Sequence, residues 1–235
     1  MMRSREEEHI TGGGRIRSII LGLNDGLIST FTLLVGIAAA TLAKGNAIVI
    51  LAGIAAMVSG AISMGLGEYI SSKSEYNYIK NEMKKEAAEI ELFPEEEKSE
   101  VRDMFENMGL RGETLSACVD TLTSNKDVWL NFLLRSELGL EEPENPAIGA
   151  ILTFFSFTFG AIIPLSPYFL NLGIVSLIIS SIISFTLLAV VGSMKTKITG
   201  ETKLKGALEM LFIGTIAFIC SYSIGLWLEQ FIAGL

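Results

Sequence analysis

The stretch Gly22–Ala40, GLNDGLISTFTLLVGIAAA, decides how this chain is read. Apart from two residues it has the composition that the interior of a bilayer demands. Taken from about Arg17 to about Leu42, it is long enough to cross the hydrocarbon as a helix, which requires roughly 20 apolar residues for about 30 Å. The exceptions are Asn24 and Asp25. Asp25 falls about ten residues, or roughly 15 Å, into the helix, near mid-membrane. A carboxylate there costs about 2.5–3.5 kcal/mol on insertion scales, so its presence calls for a reason.

The rest of the chain repeats the apolar pattern. Of 235 residues, 50% are hydrophobic, and they cluster. Further spans, each built around an apolar run, are expected at about Ala47–Ile70, Pro146–Pro164, Leu172–Met194 and Leu204–Ile232. The fold class expected is an all-α membrane protein with five transmembrane helices. A helical block interrupts them between the second and third spans. The expected organisation is an N-terminal arm over 1–14, spans one and two over 15–72, a polar helical domain over 73–145, and spans three to five over 146–235.

Charge placement tests that count. Of 18 Lys and Arg residues, all but Lys44 fall on one side of a five-span arrangement. The positive-inside rule then puts the N-terminus and the polar block in the cytoplasm and the C-terminus outside. A four- or six-span reading scrambles this pattern. The N-terminal arm MMRSREEEHITGGG lacks the short apolar core of a signal peptide, so the first span is expected to be retained. The compact termini favour a prokaryotic plasma membrane.

The net charge of −8 sits mostly in the polar block and argues against nucleic acid as a partner. The two cysteines, Cys118 and Cys220, lie far apart and offer no disulfide framework. His9 is the single histidine, so a metal site here is built mainly from oxygen ligands. No permanent cofactor is expected.

Several residues can carry chemistry. Asp25 reads either as a cation or proton site, or as a buried acid serving only as a hydrogen-bond donor. Asn24 beside it adds a carbonyl, and Gly26 permits close approach of a helix or an ion. In the second span, Met64 and Glu68 are spaced i, i+4 and share one face. Glu68 sits near the cytoplasmic end, as a mouth carboxylate or a water-exposed acid. Met64 is either packing or a soft ligand, and a thioether among carboxylates suits ferrous iron better than magnesium or calcium. Small residues recur there at four-residue spacing (Ala52, Ala56, Gly60; Ser59, Ser63, Gly67), which allows close helix contact.

The polar block is rich in Glu, Lys, Leu, Met and Ala. Nothing from Ser71 to Glu91 breaks a helix, so the second span is expected to continue through it. LFPEEEKSEVRDMFENMGL begins a new helix at Pro94 and ends near Gly109. Shorter helices follow at about Glu113–Leu122 and Asp127–Leu138, with Val128, Phe132 and Leu133 expected to face a small core. Glu86 and Glu89 are i, i+3 on one helix, and Glu97 and Glu100 repeat the spacing on the next. Two facing Glu-x-x-Glu pairs can wrap a divalent ion in carboxylate oxygens. The alternative is a solvated acidic face balanced by Lys84, Lys85 and Lys98.

These residues also carry a resemblance. IRSIILGLNDGLISTFTLLVGIAAA resembles the first span of the vacuolar iron transporter family, which includes manganese exporters. AISMGLGEYISSKSE is similar to its second span, GAIIPLSPY to its third-span end, GSMKTKITG to its fourth-to-fifth loop, and ELGLEEP to the end of its cytoplasmic domain. The resemblance implies a homodimer of five-span subunits in the lipid bilayer. It implies export of ferrous iron or manganese from the cytoplasm in exchange for protons. By its motifs, the cytoplasmic metal site falls on Glu86, Glu89, Glu97, Glu100 and Glu137, and the membrane path on Asp25 and Met64, with Glu68 in the GEY motif. One departure stands out: plant-type members carry two methionines where this chain has Leu133 and Leu134. An all-oxygen site weakens an iron preference and leaves manganese equally plausible. Competing readings are a transporter of another divalent cation, a carboxylate-bridged iron oxidase, and a metal-sensing membrane scaffold. The oxidase lacks the Glu-x-x-His pairs such sites commonly use.

Overall fold

The computed structural model describes residues 13–41, 45–140, 144–199 and 202–233. The N-terminal arm up to residue 12 with His9, the loop residue Lys44 and Pro143 of ELGLEEP lie outside them. Eight α-helices make up the described chain: α1 Gly13–Ala40, α2 Ala47–Leu92, α3 Pro94–Asn107, α4 Gly112–Thr123, α5 Lys126–Ser136, α6 Pro146–Leu165, α7 Ile174–Thr199 and α8 Lys203–Ala233. Five of them, α1, α2, α6, α7 and α8, are long and apolar enough to cross a membrane. The chain divides into two compact units, Met1–Tyr69 with Ala147–Leu235, and Ile70–Pro146.

Helix α2 has 46 residues. At 1.5 Å per residue it extends about 69 Å, more than twice the roughly 30 Å of bilayer hydrocarbon. Its apolar part ends near Ile70, and with neither Pro nor Gly in Ser71–Glu91 the helix continues into the polar unit.

In the five-helix unit the side chains that face other helices are large and apolar. Phe31, Leu34, Val35, Val49, Leu165 and Tyr168 form one buried cluster. The Phe31 ring meets Phe185 edge-on at 5.6 Å and stacks on Phe218 at 6.0 Å. Where helices cross, side chains vanish. A Cβ added to Gly26 of α1 would collide with the carbonyl of Phe157, and one added to Gly160 of α6 with the carbonyl of Leu23. Gly26 thus serves the approach of a helix. The outward faces stay apolar: Leu51, Leu66, Phe155 and Phe212 are each more than half exposed, as lipid contact requires.

The third span was expected to end near Pro164, and α6 closes at Leu165, passing into a 3-10 segment, Ser166–Leu170. Pro164 lacks an N–H, but its own carbonyl is held by Ser180 Oγ at 2.6 Å, and Pro167 suits the first turn of the 3-10 segment. Asn171, at φ 52°, ends the run. Nearby, Asn46 Nδ2 donates to the Tyr168 carbonyl at 3.2 Å and to Ser176 Oγ at 2.9 Å.

The second unit is a small helical assembly with its own core of Ile90, Val101, Leu115, Val119, Trp129 and Leu133. Pro94 opens α3, and Gly109, at φ +99°, follows its end. Asn125 caps α5, its Oδ1 accepting from the N–H groups of Asp127 at 3.0 Å and Val128 at 3.3 Å. Here the expectation for α5 needs correcting. Val128 is exposed, and Trp129, about 100° further round, takes the core position. Phe132 packs at the core edge, 5.2 Å from Phe105.

Candidate functional site

Two acidic sites emerge, one in each unit. The first is a cavity of about 680 Å³ between α1, α2 and α6. Asp25, Ser29, Met64, Glu68 and Thr153 are among the residues that line it. Helix α1 projects Asp25 into it from mid-span, exposed at its wall. Ser29, one turn on, donates from Oγ to the Asp25 main-chain carbonyl at 2.5 Å. Among the described residues, no cation or donor pairs with the Asp25 carboxylate.

Helix α2 supplies the facing wall. Ser59, Ser63 and Gly67 border the cavity, so this row of small residues faces space, while Gly60 lies against the ring of Phe157. Met64 is half-buried, packing beside Phe157 and Ala61 while lining the cavity. Glu68, one turn further, accepts a hydrogen bond from Ser18 Oγ at 2.8 Å. Ser18 is buried, so Glu68 is anchored and is no free-swinging interfacial acid. Asn24 does not join this group. It is not among the lining residues, and its Oδ1 is buried without a hydrogen-bond partner.

The second site lies on α2 and α3. Glu86, Glu89 and Glu97 each present a carboxylate oxygen, all within 4.8 Å of one another. Glu86 and Glu97 are buried at 6% exposure each, and each keeps a buried oxygen without a partner. Burial, followed by repulsion from Glu137, Glu97, Glu89 and Glu100, pushes the Glu86 carboxyl up to about 7. Glu97 is pushed up by burial first, then by Glu100, Glu89 and Glu137. Glu137 is likewise raised, by burial and then by Glu100 and Glu89. Carboxylates so placed repel one another until a cation or protons sit among them. Glu100 and Glu137 are exposed and stand around the close trio. The lysines expected as counter-charges lie elsewhere: Lys85 pairs with Glu82 at 2.6 Å and Lys98 with Glu95 at 3.5 Å. Leu133 and Leu134 are buried core residues, which suits the apolar side chains found there.

The VIT family profile matches residues 16–226, nearly the whole chain. The chain belongs to the VIT family. Vacuolar iron transporter 1 of Arabidopsis thaliana is 38% identical over 219 residues, covering 92% of this chain and 87% of that protein. Vacuolar iron transporter 1 of Tulipa gesneriana is 34% identical, over 95% of this chain and 91% of its own. The vacuolar iron transporter of Plasmodium falciparum is 31% identical, over 95% and 86%. These VIT proteins are named as transporters, not enzymes. The names speak of vacuoles, so they lend no support to the expectation of a prokaryotic plasma membrane.

Sequence reasoning missed Thr153 in the wall of the VIT cavity and Ser18, which anchors Glu68 there. Ser18 and Glu68 are 50 residues apart, and no local pattern pairs them. Thr153 stands in TFFSFTFG, where a hydroxyl in an apolar span reads as an ordinary helix residue. Its only available signal was the alignment of α6 against α1, which the sequence does not carry.

Proposed function

We propose that this VIT protein moves a divalent transition-metal ion, ferrous iron or manganese, out of the cytoplasm in exchange for protons. The observation that carries this reading is the cavity that brings Asp25, Met64 and Glu68 together among apolar helices. A carboxylate binds either a metal ion or a proton and not both at once, which is what exchange requires. The thioether of Met64 gives the path a soft ligand, which favours transition metals over magnesium and calcium. The relatives' names, vacuolar iron transporter, agree with a metal as cargo.

In this reading the unit Ile70–Pro146 is cytoplasmic, as the distribution of Lys and Arg supports, with the C-terminus on the opposite side. Glu86, Glu89, Glu97, Glu100 and Glu137 then collect metal from the cytoplasm. The protein works as a homodimer, as the family resemblance implies. Two Asp25 carboxylates facing one path would hinder each other's ionisation and so assist proton capture.

The test is metal flux in proteoliposomes under a pH gradient, with ferrous iron, manganese and zinc compared. Flux that grows with the gradient and disappears in Asp25→Asn is the expected result. Undiminished flux in that variant removes Asp25 from the path, and no flux for any metal ends the transport reading. A preference for zinc would select the other-cation alternative.

A further inference from the structure

Thr153 stands on α6 in the wall of the cavity that Asp25, Ser29 and Met64 also line. It is 1% exposed, and its Oγ1 is buried without a hydrogen-bond partner. Other threonines of the membrane helices behave differently. Thr32, Thr41, Thr158, Thr186 and Thr215 each donate to the carbonyl four residues earlier. Thr153 forgoes that bond. A hydroxyl shut away from water and left unpaired is unfavourable, and each one that a protein keeps calls for an explanation.

The surroundings leave it little room to relax. A Cβ on Gly22 of α1 would stand 2.7 Å from the Thr153 carbonyl and 3.1 Å from Ser156 Cβ, so α1 holds this part of α6 in place. The freedom left to Thr153 is rotation about Cα–Cβ, which exchanges hydroxyl and methyl between staggered positions. The neighbouring wall hydroxyl of Ser29 already donates to the Asp25 main chain.

We propose that Thr153 is a further residue of the ion path, whose hydroxyl binds a water of the cation's hydration shell when the ion stands at Asp25 and Met64. This inference rests on the transport reading above. One carboxylate and one thioether leave most of the roughly six positions around a divalent transition metal to water. Those waters are strong donors and need acceptors in the wall. A threonine hydroxyl offers two acceptor lone pairs and one proton, and that of Thr153 is not engaged elsewhere. The hydroxyl that is unpaired without the ion is paired with it, and the difference appears as ion affinity.

The experiment uses the full chain in proteoliposomes and measures Mn2+ uptake against concentration for wild type, Thr153→Val and Thr153→Ser. Valine has nearly the same shape and removes only the hydroxyl. Thr153→Val is expected to raise KM about tenfold, with Vmax falling less than about twofold, the size of one lost hydrogen bond to a charged shell. Thr153→Ser keeps the hydroxyl and brings KM back to within about twofold of wild type. The thermal midpoint of Thr153→Val in micelles stays at or above that of wild type, because an unpaired buried group has gone. An unchanged KM in Thr153→Val overturns the proposal. So does an equal rise in Thr153→Ser, or a rise accompanied by a lowered midpoint, which marks a structural role. Equilibrium dialysis of Mn2+ separates this failure from that of the transport reading. It uses protein with Glu86, Glu89, Glu97, Glu100 and Glu137 all replaced by Gln, so that only the membrane site remains. Binding without flux ends the transport reading, and Thr153→Val in that background still decides Thr153 by the same tenfold criterion. No Mn2+ binding there overturns both.

Discussion

Replacing Glu86 by Gln should stabilise the metal-free protein at high pH and leave it unchanged at low pH. The argument starts from the two protonation states. In the folded chain burial and four neighbouring carboxylates hold the Glu86 carboxyl near 7, against 4.5 for an ordinary glutamate. Between those values the native state keeps a proton that the unfolded chain has released, so stability falls as pH rises through the window. Above about 7 the penalty is complete, and below 4.5 it is absent. At about 1.4 kcal/mol per pK unit, the shift sets a ceiling of about 3.5 kcal/mol. Water reaching the exposed Glu89, Glu100 and Glu137 screens part of the repulsion, so about 1–2 kcal/mol is the expected gain.

Trp129 reports on the right unit, being 4% exposed in its core, while Trp227 is 61% exposed. Urea unfolding of the whole protein in micelles, followed by Trp129 fluorescence in a Trp227→Phe background, gives the comparison. At pH 8.5 in chelator, Glu86→Gln should unfold at higher urea than its parent, and at pH 4 the two should coincide. Saturating Mn2+ should reverse the order at pH 8.5, because the ion stabilises the parent through a carboxylate that the variant lacks. Equal stability of the two proteins at pH 8.5, or a gain of the same size at pH 4, refutes the reasoning.

Three further outcomes follow from the same structure. Gly26→Ala places a Cβ against the Phe157 carbonyl and should cost about 2–3 kcal/mol, read as a lower thermal midpoint in micelles, whereas Gly67→Ala meets nothing within 4 Å and should not lower it. Ser18→Ala removes the 2.8 Å bond to Glu68 and should cost about 1–2 kcal/mol by the same melt; no change would show that Glu68 is anchored otherwise. Glu97→Gln with Glu100→Gln should lower flux at limiting metal far more than at saturation, since a collecting site matters most when ions are scarce; an equal loss at both would place these residues in the transport step itself.

Much of the fold was legible because membranes impose simple rules. Charge-free windows marked α1, α2, α6, α7 and α8, and the uninterrupted run from Ser71 to Glu91 foretold the long continuation of α2. The i, i+3 spacing put Glu86 with Glu89 and Glu97 with Glu100, and the fold brings Glu86, Glu89 and Glu97 together. What escaped was decided by packing. Whether Val128 or Trp129 faces inward is decided by how α5 packs on its core, and a one-residue difference turns the helix face by about 100°. That the chain winds on past Leu165 as a 3-10 segment was not readable from GAIIPLSPY; there Ser180, in another span, holds the Pro164 carbonyl. That Asn24 turns away while Asp25 lines the cavity follows from the same rotation, fixed by the contact of Gly26 with Phe157.

The two acidic sites differ in a way that bears on the direction of travel. The Glu86 cluster gathers oxygens densely enough to repel itself, and under the proposed function a cation there would meet many charges at once. Alone, such a site would bind metal too tightly to release it. The raised carboxyl of Glu86 would temper this, because near 7 a proton competes for its oxygens and an ion that binds must displace it. The cavity has a different character, with two carboxylates, Asp25 and Glu68, among a thioether and hydroxyls rather than a close cluster of acids. Fewer charges mean weaker and faster binding. Under the proposed function, the clustered site suits capture at low concentration and the cavity suits turnover. The mid-membrane position of Asp25 is then explained: a lone charge in an apolar helix bundle is expensive to leave bare, and either a metal ion or a proton relieves it.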